Sequence, residues 1–172
     1  AIAVLVLAGL ALPSVASSLT VPPVTHPVTG LKQIPKLAKA EYLKNVSERK
    51  SDNVPRYHRG KGKVAPYSIG DAWCAAFSTW IWNKAGFDDY QGTDLLWESH
   101  DGTEVAVQVK DLTRWAQRNG YFSYRAKPGF LVAYGRSHIG IVLRADRDGR
   151  AVMSIEGNQS DQVSKVKIDM AN

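Results

Sequence analysis

Phe130-Leu-Val-Ala-Tyr134, His138-Ile-Gly-Ile-Val-Leu-Arg144, Ala151-Val-Met-Ser-Ile-Glu156 and Val163-Ser-Lys-Val-Lys-Ile168 follow one another near the end of the chain. Each is a short run rich in β-branched or aromatic residues. Turn formers separate them: Gly135, then Arg147-Asp148-Gly149, then Asn158-Gln159-Ser160. They read as consecutive antiparallel strands. Upstream the apolar period is helical. Trp73, Ala76, Phe77, Trp80 and Ile81 share one face behind Asp71 as N-cap, and Gly86 supplies the stop. A second helix is expected over residues 104–119, with Val105, Val109, Leu112, Trp115 and Ala116 on one face and Gly120 as terminator. A third is expected over residues 35–48, where Pro35 suits a first turn and Leu37, Ala40, Leu43 and Val46 recur every three residues. Helices first and an antiparallel sheet afterwards make an α+β domain.

The chain has 172 residues, enough for one domain with a real core. Residues 1–18 hold an apolar run, Ala1 to Leu12, followed by Pro13 and the small residues Ser14-Val15-Ala16. That is the pattern of a secretory signal peptide lacking its charged start, so the sequence is expected to begin inside the leader. Three prolines (Pro22, Pro23, Pro27) make residues 19–30 an extended spacer. The folded domain is expected over residues 31–172.

The net charge is +6, and its excess is local: residues 31–63 carry ten Lys and Arg against Glu41, Glu48 and Asp52. Such a patch on an exported protein fits contact with an anionic wall polymer or membrane surface, or a solvated face. Nucleic acid is not expected, because no reading motif accompanies the charge. Lys61-Gly62-Lys63 lacks the leading glycine and trailing hydroxyl residue of a phosphate loop. Among the four histidines (His26, His58, His100, His138) none is spaced four residues from another, and there is a single cysteine. Neither a disulfide within the chain nor a thiolate zinc site can form, and no metal or cofactor is expected. No apolar run reaches the roughly 20 residues that span a bilayer, so the mature form is expected to have no membrane span.

The one cysteine, Cys74, falls in the first turn of the Trp73–Lys84 helix. Unpaired N–H groups and the positive end of the helix dipole stabilise an anion there, so this thiol is expected to ionise readily. A cysteine filling the core is the competing reading. His138 opens a strand in which Ile139, Ile141 and Leu143 face one way and His138, Gly140 and Val142 the other. Gly140 leaves space beside the imidazole, as for a closely approaching helix. If Asp146-Arg147-Asp148-Gly149-Arg150 closes a three-residue hairpin loop, paired residue numbers add to 296. His138 then lies opposite Asn158 and Gly140 opposite Glu156, so His138, Glu156 and Asn158 share a face. A carboxylate or amide there accepts the imidazole N–H and leaves the other ring nitrogen for a thiol.

Trp73-Cys74-Ala75-Ala76-Phe77-Ser78-Thr79-Trp80, Pro128-Gly129-Phe130-Leu131-Val132-Ala133-Tyr134, Ser137-His138-Ile139-Gly140-Ile141-Val142 and Ile155-Glu156-Gly157-Asn158 resemble the CHAP domain. CHAP domains are cysteine, histidine-dependent amidohydrolases and peptidases of the NlpC/P60, papain-like group. The resemblance runs from about Lys36 to the C-terminus. It implies a papain-like fold, with Cys74 as nucleophile, His138 as base, Glu156 as the group orienting the ring and Asn158 as a supporting polar partner. Phe130 stands where the family often has Asp, and the ending at Asn172 looks short of the family's last strand. Trp73, Tyr67 and Tyr134 are expected along a cleft. An exported, basic member is expected to cut an amide or peptide bond of bacterial peptidoglycan, as a monomer, secreted or wall-associated. Two alternatives are a non-catalytic wall-binding domain and an acyl transferase of the same chemistry.

Overall fold

The computed structural model describes residues 2–5, 29–58, 62–93, 95–134, 137–147 and 151–169. The elements, in order, are β1 (Ile2–Leu5), α1 (Thr29–Leu43), β2 (Val46–Ser47), β3 (Arg56–Tyr57), α2 (Cys74–Lys84), β4 (Leu96–Glu98), β5 (Glu104–Ala106), α3 (Val109–Arg118), β6 (Phe122–Ser123), β7 (Leu131–Tyr134), β8 (His138–Ala145), β9 (Ala151–Glu156) and β10 (Ser164–Asp169). Six strands form one antiparallel sheet in the order β10-β9-β8-β7-β1-β6, and β2–β3 and β4–β5 are separate hairpins. Helix and antiparallel sheet together make a mixed α and β architecture.

The alternation in β8 sorts the core. Ile139 and Ile141 share one core with Ile155, Leu131, Ala133, Trp73 and the α2 side chains Phe77 and Ile81. Val142 turns to the opposite face and joins Val132, Val152, Ile168 and Phe130. The second face is also the one that carries His138.

Toward His138 the pair sum is the 296 expected from a three-residue loop, but the hairpin reaches it differently. Asp146 N–H donates to Ala151 O at 2.9 Å, so the chain closes one residue later than a three-residue loop requires. Ala145 pairs Val152 and Arg144 pairs Met153, with numbers adding to 297. A bulge between Val142 and Arg144 absorbs one residue of β8, and Val142 then pairs Ser154 and Ile141 pairs Ile155, restoring 296. Arg150 lies outside the described residues.

The helices depart from their expected bounds. α1 starts at Thr29, which puts Pro35 inside it. Proline cannot donate to the Leu31 carbonyl one turn back. That oxygen faces Gly129 instead, where a methyl group would stand 2.7 Å from it. Ile34, Ala38 and Glu41 form the buried side, whereas Leu43 is 60% exposed: a strict three-residue period drifts off a helix face. Asn45, at φ 54°, ends the helix before Val46. The first residues of the expected helix over 104–119 are instead strand β5, paired with β4. α3 keeps Val109, Leu112, Trp115 and Ala116 buried, and Gly120 follows at φ +73°.

Residues Ile2–Leu5 of the expected leader form β1, between β7 and β6. The rest of the apolar run and most of the spacer, residues 6–28 with His26, lie outside the described residues, as do residues 170–172. No helix among the described residues is long and apolar enough to cross a membrane.

Candidate active site

α2 begins at Cys74 itself, with Trp73 in the cap position. Asp71 stands outside the helix and uses its carboxylate on the Ala72 N–H at 2.6 Å. The expected Asp71 cap is therefore corrected by two residues, and Cys74 becomes the first helical residue. All nine residues from Cys74 to Trp82 are buried, so the terminus is held rigidly against the sheet. Cys74 is 6% exposed at the border of the main core, and its Sγ lies 3.8 Å from the Ser137 carbonyl at the mouth of β8.

The next residue along β8 is His138. Its ring has Cys74 among the groups that act on it electrostatically, so the thiol and the imidazole are neighbours. Its Nε2 lies 2.9 Å from Glu156 Oε2, and its side chain is 21% exposed. With Nε2 committed to the carboxylate, Nδ1 is the nitrogen left for sulfur. Burial by itself would lower the imidazole; hydrogen bonds with Cys74 and Glu156, and the charges of both, outweigh it and push it up to about 9.

Glu156 is only 1% exposed and fully engaged. Besides the imidazole it accepts Tyr134 Oη–H on Oε1 at 2.7 Å and Ser154 Oγ–H on the same oxygen. Burial would raise its carboxyl, yet the donors His138, Ser154 and Tyr134 hold it below its ordinary value. The Tyr134 phenol is driven the other way, first by burial and then by the Glu156 charge, so it keeps the proton that it donates. Its ring also lies against the imidazole, with centroids 5.8 Å apart. Strand geometry explains the gathering. Tyr134 pairs directly with His138, and Ser154 stands two residues before Glu156 on the same face.

Gly140 is required for this arrangement, though not by a helix as expected. A methyl group there would stand 3.0 Å from Glu156 Cδ and closer still to its Cγ, so the space belongs to the carboxylate side chain. The close helix approach falls at Gly157, where a methyl would stand 2.5 Å from Phe77 Cβ.

Asn158 does not reach the ring. β9 ends at Glu156, and Asn158 adopts φ 57°, which takes it out of the strand alternation. In the amide orientation that its neighbours require, its N–H donates to Glu48 Oε1 at 3.1 Å and its oxygen accepts Trp73 N–H at 3.3 Å. Glu48, 8% exposed, takes Trp73 Nε1–H on Oε1 at 2.6 Å and Asn53 N–H on Oε2 at 2.7 Å. Asn158 and Glu48 thus brace the residue before Cys74. Trp73 and Tyr67 are wholly buried and stack on each other at 5.7 Å, so of the three aromatic residues expected along a cleft only Tyr134 stands at the site.

The structure therefore brings Cys74, His138 and Glu156 together and moves Asn158 to the helix tip. Ser154 and Tyr134 were legible from the two-residue period once the register was fixed. Glu48 carried no signal, because 25 residues separate it from the indole it binds. No group of three or more His, Cys, Asp or Glu side chains that could hold a metal ion occurs among the described residues. Comparison with protein-family models, curated proteins and solved structures finds no match to this chain.

Proposed function

We propose that the chain is a cysteine amide hydrolase of the CHAP type, papain-like in fold, acting on bacterial peptidoglycan after export. The observation that carries this reading is the Cys74 thiol at the tip of α2 beside an imidazole whose far nitrogen is held by Glu156 at 2.9 Å. Three features support it: a helix terminus favours a thiolate, a raised imidazole favours its imidazolium partner, and a buried carboxylate keeps the ring turned. The order of elements, a cysteine-bearing helix followed by antiparallel strands bearing the histidine and its acid, supports the papain-like reading. The ground for export is the sequence pattern of residues 1–18 alone, since Ile2–Leu5 stand in the sheet as β1.

In the reaction, Cys74 sulfur attacks the amide carbonyl carbon and the oxygen takes the negative charge, beside the N–H groups of the α2 terminus. His138 gives its proton to the leaving nitrogen; the C–N bond breaks and a thioester remains. The neutral imidazole then takes a proton from water, whose oxygen attacks the thioester. The C–S bond breaks, the carboxylic acid leaves, and thiol and imidazole are restored. Glu156 holds the ring through both halves.

The test is incubation with purified peptidoglycan, reading new amines and the masses of released muropeptides. The expected result is cleavage at one bond type, lost in Cys74→Ser and His138→Ala chains that keep their circular dichroism. Product masses distinguish the N-acetylmuramoyl-L-alanine amide from a stem or cross-bridge peptide bond. Sedimentation with the wall without amine release would replace the reading with a binding domain. Adducts formed only when an amine is added would make the protein an acyl transferase.

A further inference from the structure

The basic segment has two of its three acids buried, and the exposed third, Asp52, is paired with an arginine. Of its three carboxylates, Glu41 (3% exposed) takes Lys44 and the Tyr57 hydroxyl, Glu48 is spent on Trp73 and Asn53, and Asp52 holds Arg56 Nη1 at 2.7 Å. Lys32, Lys36, Lys39, Arg49, Lys50 and Lys63 remain at the surface. The charge imbalance of the sequence is therefore concentrated outward.

Within that surface the β2–β3 hairpin and the turn at Gly62 enclose a cleft of about 270 Å³, lined by Ser47, Arg49, Arg56, Tyr57, His58 and Gly62. Its guanidinium groups are placed by specific contacts. Gly62 has φ +77°, and a methyl there would stand 2.6 Å from Arg49 Nη2, so the bare turn lets that guanidinium lie against it. No carboxylate among the described residues pairs with Arg49. Arg56 is fixed by Asp52 and by the Val54 carbonyl at 2.8 Å. His58 Nε2 meets Ser47 Oγ across the hairpin.

We propose that this cleft binds a phosphate group, free or as a phosphodiester in a polymer, with Arg49 as its principal grip. Arg56 supplies further donors beside the Ser47–His58 pair, whose hydroxyl proton goes to the Glu48 carbonyl. A planar carboxylate is satisfied by one guanidinium fork, whereas a tetrahedral phosphate takes donors from more than one direction, as the two guanidiniums of Arg49 and Arg56 provide. The cleft holds several water volumes of roughly 30 Å³ each, room for a phosphate and its linking atoms. The inference goes beyond the hydrolase reading and stands whether or not Cys74 is a nucleophile.

The test uses the full chain carrying Cys74→Ala, so that turnover does not enter, and measures binding of inorganic phosphate and of a glycerol phosphate oligomer by calorimetry at one fixed low salt concentration. Arg49→Gln is expected to weaken binding about tenfold or more, and Arg49→Lys, which keeps the charge but loses the fork, by at least about threefold. Lys36→Gln on α1 removes the same charge outside the cleft and is expected to cost about twofold or less. Retention of the oligomer alone would identify a phosphodiester polymer as the source; retention of both probes would identify the phosphate itself. Equal losses for Arg49→Gln and Lys36→Gln would reduce the cleft to diffuse charge and overturn the proposal. Failure of the parent chain to bind either probe would do the same.

Discussion

His138 Nε2 lies 2.9 Å from Glu156 Oε2, and the second oxygen of that carboxylate is pinned by the hydroxyls of Tyr134 and Ser154. The carboxylate cannot swing away without leaving the buried Ser154 hydroxyl and the half-buried Tyr134 hydroxyl without their acceptor. The imidazole it holds is therefore fixed both in plane and in tautomer.

Glu156→Gln tests the charge in that contact while keeping its shape. The His138 imidazolium loses a buried negative partner, so its pKa is expected to fall from about 9 toward the ordinary 6.5. Histidine NMR titration in the folded chain reads this directly. On the proposed substrate, turnover is expected to drop roughly tenfold to a hundredfold, less than for His138→Ala, since an amide oxygen still accepts the ring N–H.

The same pair shapes stability against pH. His138 binds its proton more tightly folded than unfolded, so its contribution is complete below about 6.5 and is lost as pH rises through about 9. Glu156 is depressed, so its contribution is present above 4.5 and is lost as pH falls below its folded value. Melting temperatures measured from pH 6 to 10 are expected to decline in the parent chain and to stay flatter in His138→Ala.

Tyr134→Phe removes one of the two hydroxyls on Glu156 Oε1. The carboxyl is expected to titrate at higher pH and the acid side of the stability curve to shift with it. Urea unfolding at pH 7 is expected to show a loss of about 1–3 kcal/mol, the usual cost of leaving a buried acceptor short of a donor.

Gly140→Ala places a methyl group where Glu156 must lie. Overpacking of this kind costs about 1–3 kcal/mol. The larger consequence is at the ring, because the carboxylate is pushed from its contact; loss of the raised histidine titration would accompany the loss of stability.

Glu48→Ala strips the acceptor from Trp73 Nε1–H and Asn53 N–H and loosens Asn158. A loss of about 3 kcal/mol is expected by denaturant unfolding, with Glu48→Gln losing less because an acceptor remains.

The sheet half of the molecule was legible because a two-residue period fixes faces, and faces place Tyr134, His138, Ser154 and Glu156 together. α2 was legible because Trp73, Phe77 and Ile81 carry a strong period, although its start lay two residues later than Asp71 implied. Over residues 35–48 the pattern misled: Pro35 marks a helix start on local grounds, but α1 tolerates it by turning the freed Leu31 carbonyl toward Gly129. The β2–β3 hairpin has two residues per strand, too few for any alternation to show. Asn158 was misplaced for a different reason. Its left-handed backbone breaks strand geometry two residues beyond Glu156, the last point where register applies, and the partner it finds instead comes from a segment remote in sequence.

The irregularity at Leu143 makes the tip between Asp146 and Ala151 a natural port for engineering and for drift. Because β8 takes up its surplus residue at Leu143, between Val142 and the tip, additions beyond Asp146 do not alter how far the imidazole stands from its acid. A peptide epitope or a fluorescent reporter grafted there should leave the opposite end of the hairpin undisturbed, while a single residue inserted between His138 and Val142 would turn the ring to the wrong side of the ribbon.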